Sequence, residues 1–171
     1  MSAVSLSEYT SEWQTQFECV SAELASVLAG SPGLAIEHIG STSVPGLCAK
    51  PVIDLLIGVS SLKAIESRIH MLQQLGFRYR PEHEKEIPDR RYFVREPGQR
   101  LRVHVHAVVA GSALWLGHLA FRDALRRDGH LAAEYASLKR TLALQHAHDK
   151  AAYTRAKAPF IQSVLRRQRE A

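Results

Sequence analysis

The run "PVIDLLIGV", from Pro51 to Val59, constrains the fold more than any other part of the chain. A strand with one solvated face alternates apolar and polar residues, whereas this run is apolar at nearly every position. It therefore predicts a central strand covered on both faces. Pro51 fits only as its first residue, because proline cannot donate to a sheet ladder. The single interruption is Asp54. A carboxylate is rarely buried unless it is paired or bound to a cation, which makes Asp54 the first candidate functional residue. With a period of two, Val52 and Leu56 share its face, so no second acid can come from this strand. The alternative reading is an ion pair between Asp54 and Lys50, an arginine or a histidine.

The remaining pattern surrounds that strand with helices. Between Ser5 and Ala29, Trp13, Phe17, Val20, Leu24, Val27 and Leu28 recur at spacings of three and four, which predicts an amphipathic helix broken by Ser31-Pro32-Gly33. "LAIEHIG" reads as a short strand ended by Gly40. Leu62, Ile65, Ile69, Leu72 and Leu75 predict one further helix closed by Gly76. "FRYR" is a brief strand, and "RPEHEKEIPDR" reads as a mobile loop. "RRYFVRE" and "LRVHVHAVV" flank the turn "PGQ" as a hairpin. Everything after residue 111 is helical by pattern, in three stretches, with Ser112 and Asp149 placed as caps. The reading is one α+β domain: a small mixed β-sheet flanked by helices, with a helical C-terminal third.

Size and composition set outer bounds. A chain of 171 residues is one domain's worth and buries roughly 70% of its unfolded surface without staples. Cys19 and Cys48 lie far apart with no metal-type spacing, which points to a reducing compartment, the cytoplasm by default. No apolar run nears the ~18 residues that span a bilayer, and "MSAVSLSEYTSEW" lacks a signal peptide's layout, so no membrane role is expected. Lys and Arg exceed Asp and Glu by 22 to 17, a bias toward phosphorylated or polyanionic partners concentrated in the C-terminal third. A solvated basic helical face explains the same excess.

Several groups are suited to chemistry. Gly40-Ser41 follows a strand and offers backbone N–H groups and a hydroxyl to an anion. Neither GxxxxGK[ST] nor GxGxxG is present. His104 and His106 alternate with valine, so both rings share one strand face, where neutral imidazoles ligate a metal and protonated ones hold phosphate. Arg90 and Arg91 suit phosphate recognition, and Lys139 and Lys157 offer further cations. His118 and Arg122 share a helix face at i,i+4. Tyr135 and Tyr153 read as packing residues.

In order along nearly the whole chain, "IEHIGSTSVPGLCAKPVIDLLIGV", "DRRYFVRE", "VHVHAVVAGS", "HLAFRDALR", "EYASLKR" and "AYTRAKAPFI" resemble the GrpB family. That family looks like part of the nucleotidyltransferase superfamily, with related domains fused to dephospho-coenzyme A kinase. The resemblance implies a mixed sheet of the nucleotidyltransferase type. It places Gly40, Ser41 and Thr42 at the triphosphate turn, and "VIDLLI" at the strand that usually carries two acids one residue apart. Here only Asp54 is present, and His104 and His106 stand where another strand normally supplies a third carboxylate. The expected activity is nucleotidyl transfer to an acceptor from a nucleotide or related phosphorylated small molecule. Asp54, His104 and His106 would act as catalytic residues and as ligands of a divalent cation (Mg, Mn or Zn). Lys50, Arg90, Arg91, Lys139 and Lys157 would neutralise phosphate. Two-metal chemistry needs carboxylates the chain lacks, so a non-catalytic phosphate-binding or regulatory module is the rival reading, and RNA binding a third.

Overall fold

The computed structural model describes residues 4–98 and 100–170. Five strands form one mixed sheet: β1 (Ala35–Ile39), β2 (Val52–Val59), β3 (Arg78–Tyr79), β4 (Arg90–Arg95) and β5 (Arg102–Val109), in the spatial order β1-β2-β5-β4-β3. The apolar run is β2, flanked on both edges. It pairs antiparallel with β1 and parallel with β5, and β5 pairs antiparallel with β4. The β4–β5 hairpin forms as its alternation predicts; Gln99 of its "PGQ" turn lies outside the described residues, as do the first three residues of the N-terminal stretch.

The two faces of the sheet have different fates. One carries Ile53, Leu55, Ile57 and Val59 of β2 beside Val103, Val105 and Ala107 of β5. Helix α1 (Glu12–Val27) covers it with Trp13, Val20 and Leu24, and Ile65 and Leu72 add to the same core from α2 (Leu62–Glu66) and α3 (Ile69–Gln74). The other face is apolar only at one end. There Ile39, Leu56 and Val108 pack beneath Leu114, Trp115 and Leu119 of α4 (Ala113–Arg127). Gly58 lets that helix approach, since a Cβ there would meet the Trp115 ring at 2.7 Å. The remainder of this face carries Asp54, His104, His106 and Tyr92. Helices α5 (Gly129–Gln145) and α7 (Ala158–Glu170) build a separate apolar cluster with α4 against the 44–48 segment, and α6 (Lys150–Ala156) packs Tyr153 against Val4 and Leu142.

Several elements differ from their sequence pattern. The helix expected from Leu62 to Leu75 is interrupted at Ser67-Arg68. Arg68 leaves the helical course there, and its guanidinium caps α1, donating to Val27 O at 2.7 Å and Ala29 O at 3.2 Å. The stretch expected to be a loop contains a 3-10 helix over Pro81–Lys85. The last helical stretch is two helices, divided at Lys157. The caps are as read: Ser112 Oγ accepts from Trp115 N at 3.3 Å and Asp149 Oδ1 from Ala152 N at 2.9 Å. Among the described residues, no helix is long and apolar enough to cross a membrane.

Candidate functional site

Register creates the site. Asp54 pairs with His104 across the parallel β2–β5 ladder, and His106 pairs with Tyr92 across the antiparallel β5–β4 ladder, so all four side chains rise from one face. His104 Nδ1 stands 3.2 Å from Asp54 Oδ1, and His106 Nε2 stands 3.7 Å from the same oxygen. Tyr92 closes the row, its ring 5.1 Å from His106 and 5.7 Å from His104.

The turn after β1 meets this carboxylate from the other side. Gly40 has φ 73° and ψ −179°, a region essentially reserved for glycine, and a Cβ on it would stand 2.5 Å from Asp54 Oδ2. The 3-10 turn Ser41–Ser43 follows. Ser41 interacts with the Tyr135 hydroxyl, and Ser43 Oγ donates to Gly40 O at 2.6 Å. Thr42 is buried, donating to Val52 O at 3.0 Å and meeting His38 Nε2 at 3.1 Å, so its hydroxyl serves the fold. Arg126 holds the turn's last carbonyl, with Nε and Nη2 at 2.9 and 2.8 Å from Ser43 O.

Charge is unevenly distributed around Asp54. Burial alone would push its carboxyl up, but hydrogen bonding and attraction from His104 and His106 hold it well below the usual carboxylate range. Burial lowers His106, with Asp54 offsetting only part of the effect. Burial thus favours the neutral form of the His106 ring, whose Nε2 stands 3.7 Å from the carboxylate. Lys50 and Lys157 stand 4.2 and 4.7 Å from the Tyr153 ring centroid. Burial, then repulsion from Lys157 and Lys150, brings Lys50 down to about 8, and burial also lowers Lys157. Asp54 is the carboxylate that attracts both, yet neither ammonium reaches an acid at ion-pair distance among the described residues.

Not every residue picked out by pattern joins this cluster. Arg90 does: it lies over the Tyr92 ring, 4.9 Å from its centroid, with Nη1 3.4 Å from His106 Nδ1. Arg91, one residue on, projects from the opposite face and is occupied by Glu66 at 2.8 Å. Lys139 is enclosed, only 1% exposed, and donates to Cys48 O, so it supports the segment leading to Lys50 from beneath. Burial lowers it to about 8.

A metal cage is a separate matter. The ring nitrogens of His104 and His106 that face Asp54 face one and the same oxygen, as hydrogen-bonding partners do. Among the described residues, no group of three or more His, Cys, Asp or Glu side chains is arranged to hold a metal ion.

Sequence reasoning placed His118 and Arg122 on one helix face but missed that the column continues to Arg126 on α4, although the i, i+4, i+8 spacing was a usable signal. His118 lies 5.5 Å from the His106 ring, and burial takes it down to about 4. Arg122 bonds Glu37 at 2.6 Å and His38 O at 3.2 Å. One helix face thus buttresses β1, the glycine turn and the histidine row together.

Known proteins resemble this chain in sequence and in fold. The UPF0157 protein YqkA of Bacillus subtilis is 37% identical over 155 residues, which are 91% of this chain but 44% of YqkA. A UPF0157 protein of Streptomyces coelicolor is 34% identical over 170 residues, 96% of this chain and 83% of that one. A dephospho-CoA kinase of Mycolicibacterium paratuberculosis is 30% identical over 184 residues, 91% of this chain and 44% of its own. Among solved structures, terminal uridylyl transferase 4 of Trypanosoma brucei with bound CTP superposes with a TM-score of 0.51 at 14% identity. It covers 96% of this chain and 53% of that one, a likeness of fold alone. The conserved protein GrpB of Enterococcus faecalis superposes with a TM-score of 0.85 at 33% identity, covering 96% of both chains. The family model described as GrpB protein matches residues 3–167, and with the mixed sheet and helical framework shared almost end to end, the chain belongs to the GrpB family.

Proposed function

We propose that this chain binds a nucleotide or another phosphorylated small molecule on the polar half of the sheet, and that it transfers a nucleotidyl group there. The carrying observation is the imbalance around Asp54: Lys50 and Lys157 are drawn to a face with one carboxylate and, among the described residues, reach no acid at ion-pair distance. Partly buried cations without counter-charges are costly, and a phosphorylated ligand relieves that cost. The Gly40-Ser41 turn adds amides that, at the start of a helical turn, lack intrahelical partners.

Each residue then has a role. Lys50 and Lys157 neutralise phosphate oxygens, and Ser41 with its preceding glycine lets the ligand approach Asp54. His104 turns Nδ1 to Asp54, which leaves Nε2 to accept a proton. In the transfer, the acceptor's hydroxyl oxygen forms a bond to the α-phosphorus as the bond to the pyrophosphate oxygen breaks. The hydroxyl proton passes to His104 Nε2, and pyrophosphate leaves with the bonding pair. One carboxylate with phosphate oxygens and water is a donor set that a magnesium-type ion accepts, so Asp54 would hold an ion arriving with the ligand, which would neutralise phosphate charge.

Calorimetry of the purified chain with ATP, GTP, CTP and UTP, in magnesium and in EDTA, tests the reading. Binding of at least one is expected, and silence with all four defeats it. A second reading, a binding module without turnover, is favoured by the apolar Val52 and Leu56 flanking Asp54. Asp54→Asn separates the two: an enzyme loses pyrophosphate release while retaining nucleotide binding, and a module has no release to lose.

A further inference from the structure

Arg90 is unlike the other half-buried arginines of this chain. Arg91 ends on Glu66, Arg95 on Glu23, Arg122 on Glu37 and Asp123, and Arg126 on the Ser43 carbonyl. Among the described residues Arg90 reaches the His106 ring nitrogen at 3.4 Å and no carboxylate at ion-pair distance, and its Nε, like Arg95 Nη2, is buried without a hydrogen-bond partner. A guanidinium with a buried, unused donor is costly unless something in the functional state supplies the acceptor. Tyr92 beneath it and His106 beside it fix the plane of the fork, leaving its donors pre-oriented toward a planar or tetrahedral oxyanion.

Position separates this cation from the lysines. Arg90 pairs with Val108, four residues along β5 from His104, which puts their backbones about 13 Å apart at the usual strand rise. Lys50 lies in the other direction, two residues before Val52, whose partner is Arg102. Asp54 and His104 therefore stand between two cationic ends. If phosphate occupies the lysine end, as proposed above, the arginine end faces the opposite side of the reacting centre.

We propose that Arg90 is the seat for an oxyanion, a carboxylate or a phosphate, carried by the acceptor that receives the transferred group. The acceptor is thus an anionic small molecule whose hydroxyl reaches His104 while its charged end rests on Arg90. This assignment rests on the nucleotide reading, because it takes the lysine end as already filled.

The arginine Nε–H resonances of the full, nitrogen-15-labelled chain report on it directly, with the Arg90 signal identified by its loss in Arg90→Lys. Methyl phosphate and acetate are titrated separately, each with and without a saturating nucleotide found by calorimetry. The expected result is a saturable millimolar shift of the Arg90 Nε–H signal with one probe, unchanged by nucleotide. Which probe acts tells phosphate from carboxylate. Arg90→Lys, which keeps the charge, should weaken that binding by roughly tenfold, read from β4 and β5 backbone amides, with nucleotide affinity unchanged. The proposal is overturned if neither probe shifts the signal, or if nucleotide itself shifts it and displaces the probe, since Arg90 then belongs to the nucleotide's own phosphates. If no nucleotide binds yet the probe shift persists, the nucleotide reading fails and the assignment of Arg90 to the acceptor falls with it, leaving an anion site alone.

Discussion

Replacing Gly40 by alanine strikes the point where the glycine turn and Asp54 meet. Two penalties add. The backbone at φ 73° and ψ −179° lies in a region that costs a residue with a Cβ about 1–3 kcal/mol. The new methyl would also stand 2.5 Å from Asp54 Oδ2 and 3.1 Å from its Cβ and Cγ, where close C···O contacts run to about 3.3 Å or more. Either the turn or the carboxylate must retreat by about 0.8 Å, and a retreat of Asp54 lengthens its 3.2 Å contact with His104. Against this, alanine reduces the entropy of the unfolded chain, worth about 0.4–1 kcal/mol in the mutant's favour. The net expectation is a loss of about 2 kcal/mol, which at a urea slope of about 2 kcal/mol per molar lowers the midpoint by about 1 M.

Gly30→Ala is the matched control. Gly30 also has a positive φ, 80°, but a Cβ there meets nothing within 4 Å, so alanine there meets a positive-φ backbone without the collision. Urea titrations of both variants, followed by tryptophan fluorescence, isolate the price of close approach. If Gly40→Ala is no less stable than Gly30→Ala, the turn is not pressed against Asp54 and the argument for its role is wrong.

Three further outcomes follow from named contacts. Burial lowers His38 to about 4 from 6.5, so its neutral form is favoured in the fold. That contribution is complete above pH 6.5 and is lost as pH falls toward 4, on the order of 3 kcal/mol, and His38→Gln should flatten the stability profile in that window. Arg126→Met keeps the side-chain stem but removes both bonds to Ser43 O, and thermal or urea unfolding should show a loss of about 1–3 kcal/mol. Lys139, lowered to about 8 from 10.5, carries an unfavourable buried charge below pH 8 that is relieved as pH rises to 10.5. Lys139→Met should therefore raise stability at pH 7 by on the order of 1 kcal/mol and remove the gain between pH 8 and 10.5.

The architecture was legible wherever local physics decides it. An apolar run with one acid demanded a covered interior strand, and β2 is one; a serine and an aspartate before helical stretches became caps. Failure began where a distant partner decides. Ser67-Arg68 interrupts a good helical pattern because Arg68 satisfies the carbonyl end of α1, about forty positions away in sequence. Thr42 stands in the phosphate turn by sequence, yet its hydroxyl is taken by Val52 O and His38. Lys139 reads as a cation for a cleft, but the enclosing helices direct it to Cys48 O.

Arg90 and Arg91 show where the boundary lies, because in their case the missing information was half present. Strand periodicity alone says that adjacent residues point to opposite faces, so two neighbouring arginines cannot both serve one face of a regular strand. What periodicity cannot say is which of them meets the histidines. That depends on register: Tyr92 opposite His106 places Arg90 on the polar face and sends Arg91 to Glu66. A slip of one residue in the β4–β5 hairpin would exchange the two, pairing the arginine over the histidine row with a different strand neighbour and turning Tyr92 into the core. The placement of Arg90 beside the histidine row therefore depends on the burial of Phe93 on the opposite face, which pins that register. Phe93→Ser should accordingly loosen β4 and abolish the Arg90 Nε–H response while sparing Lys50 and Lys157, whose positions come from β2 and the C-terminal helices. A response that survives in a folded Phe93→Ser chain would show that the hairpin register is held by other contacts.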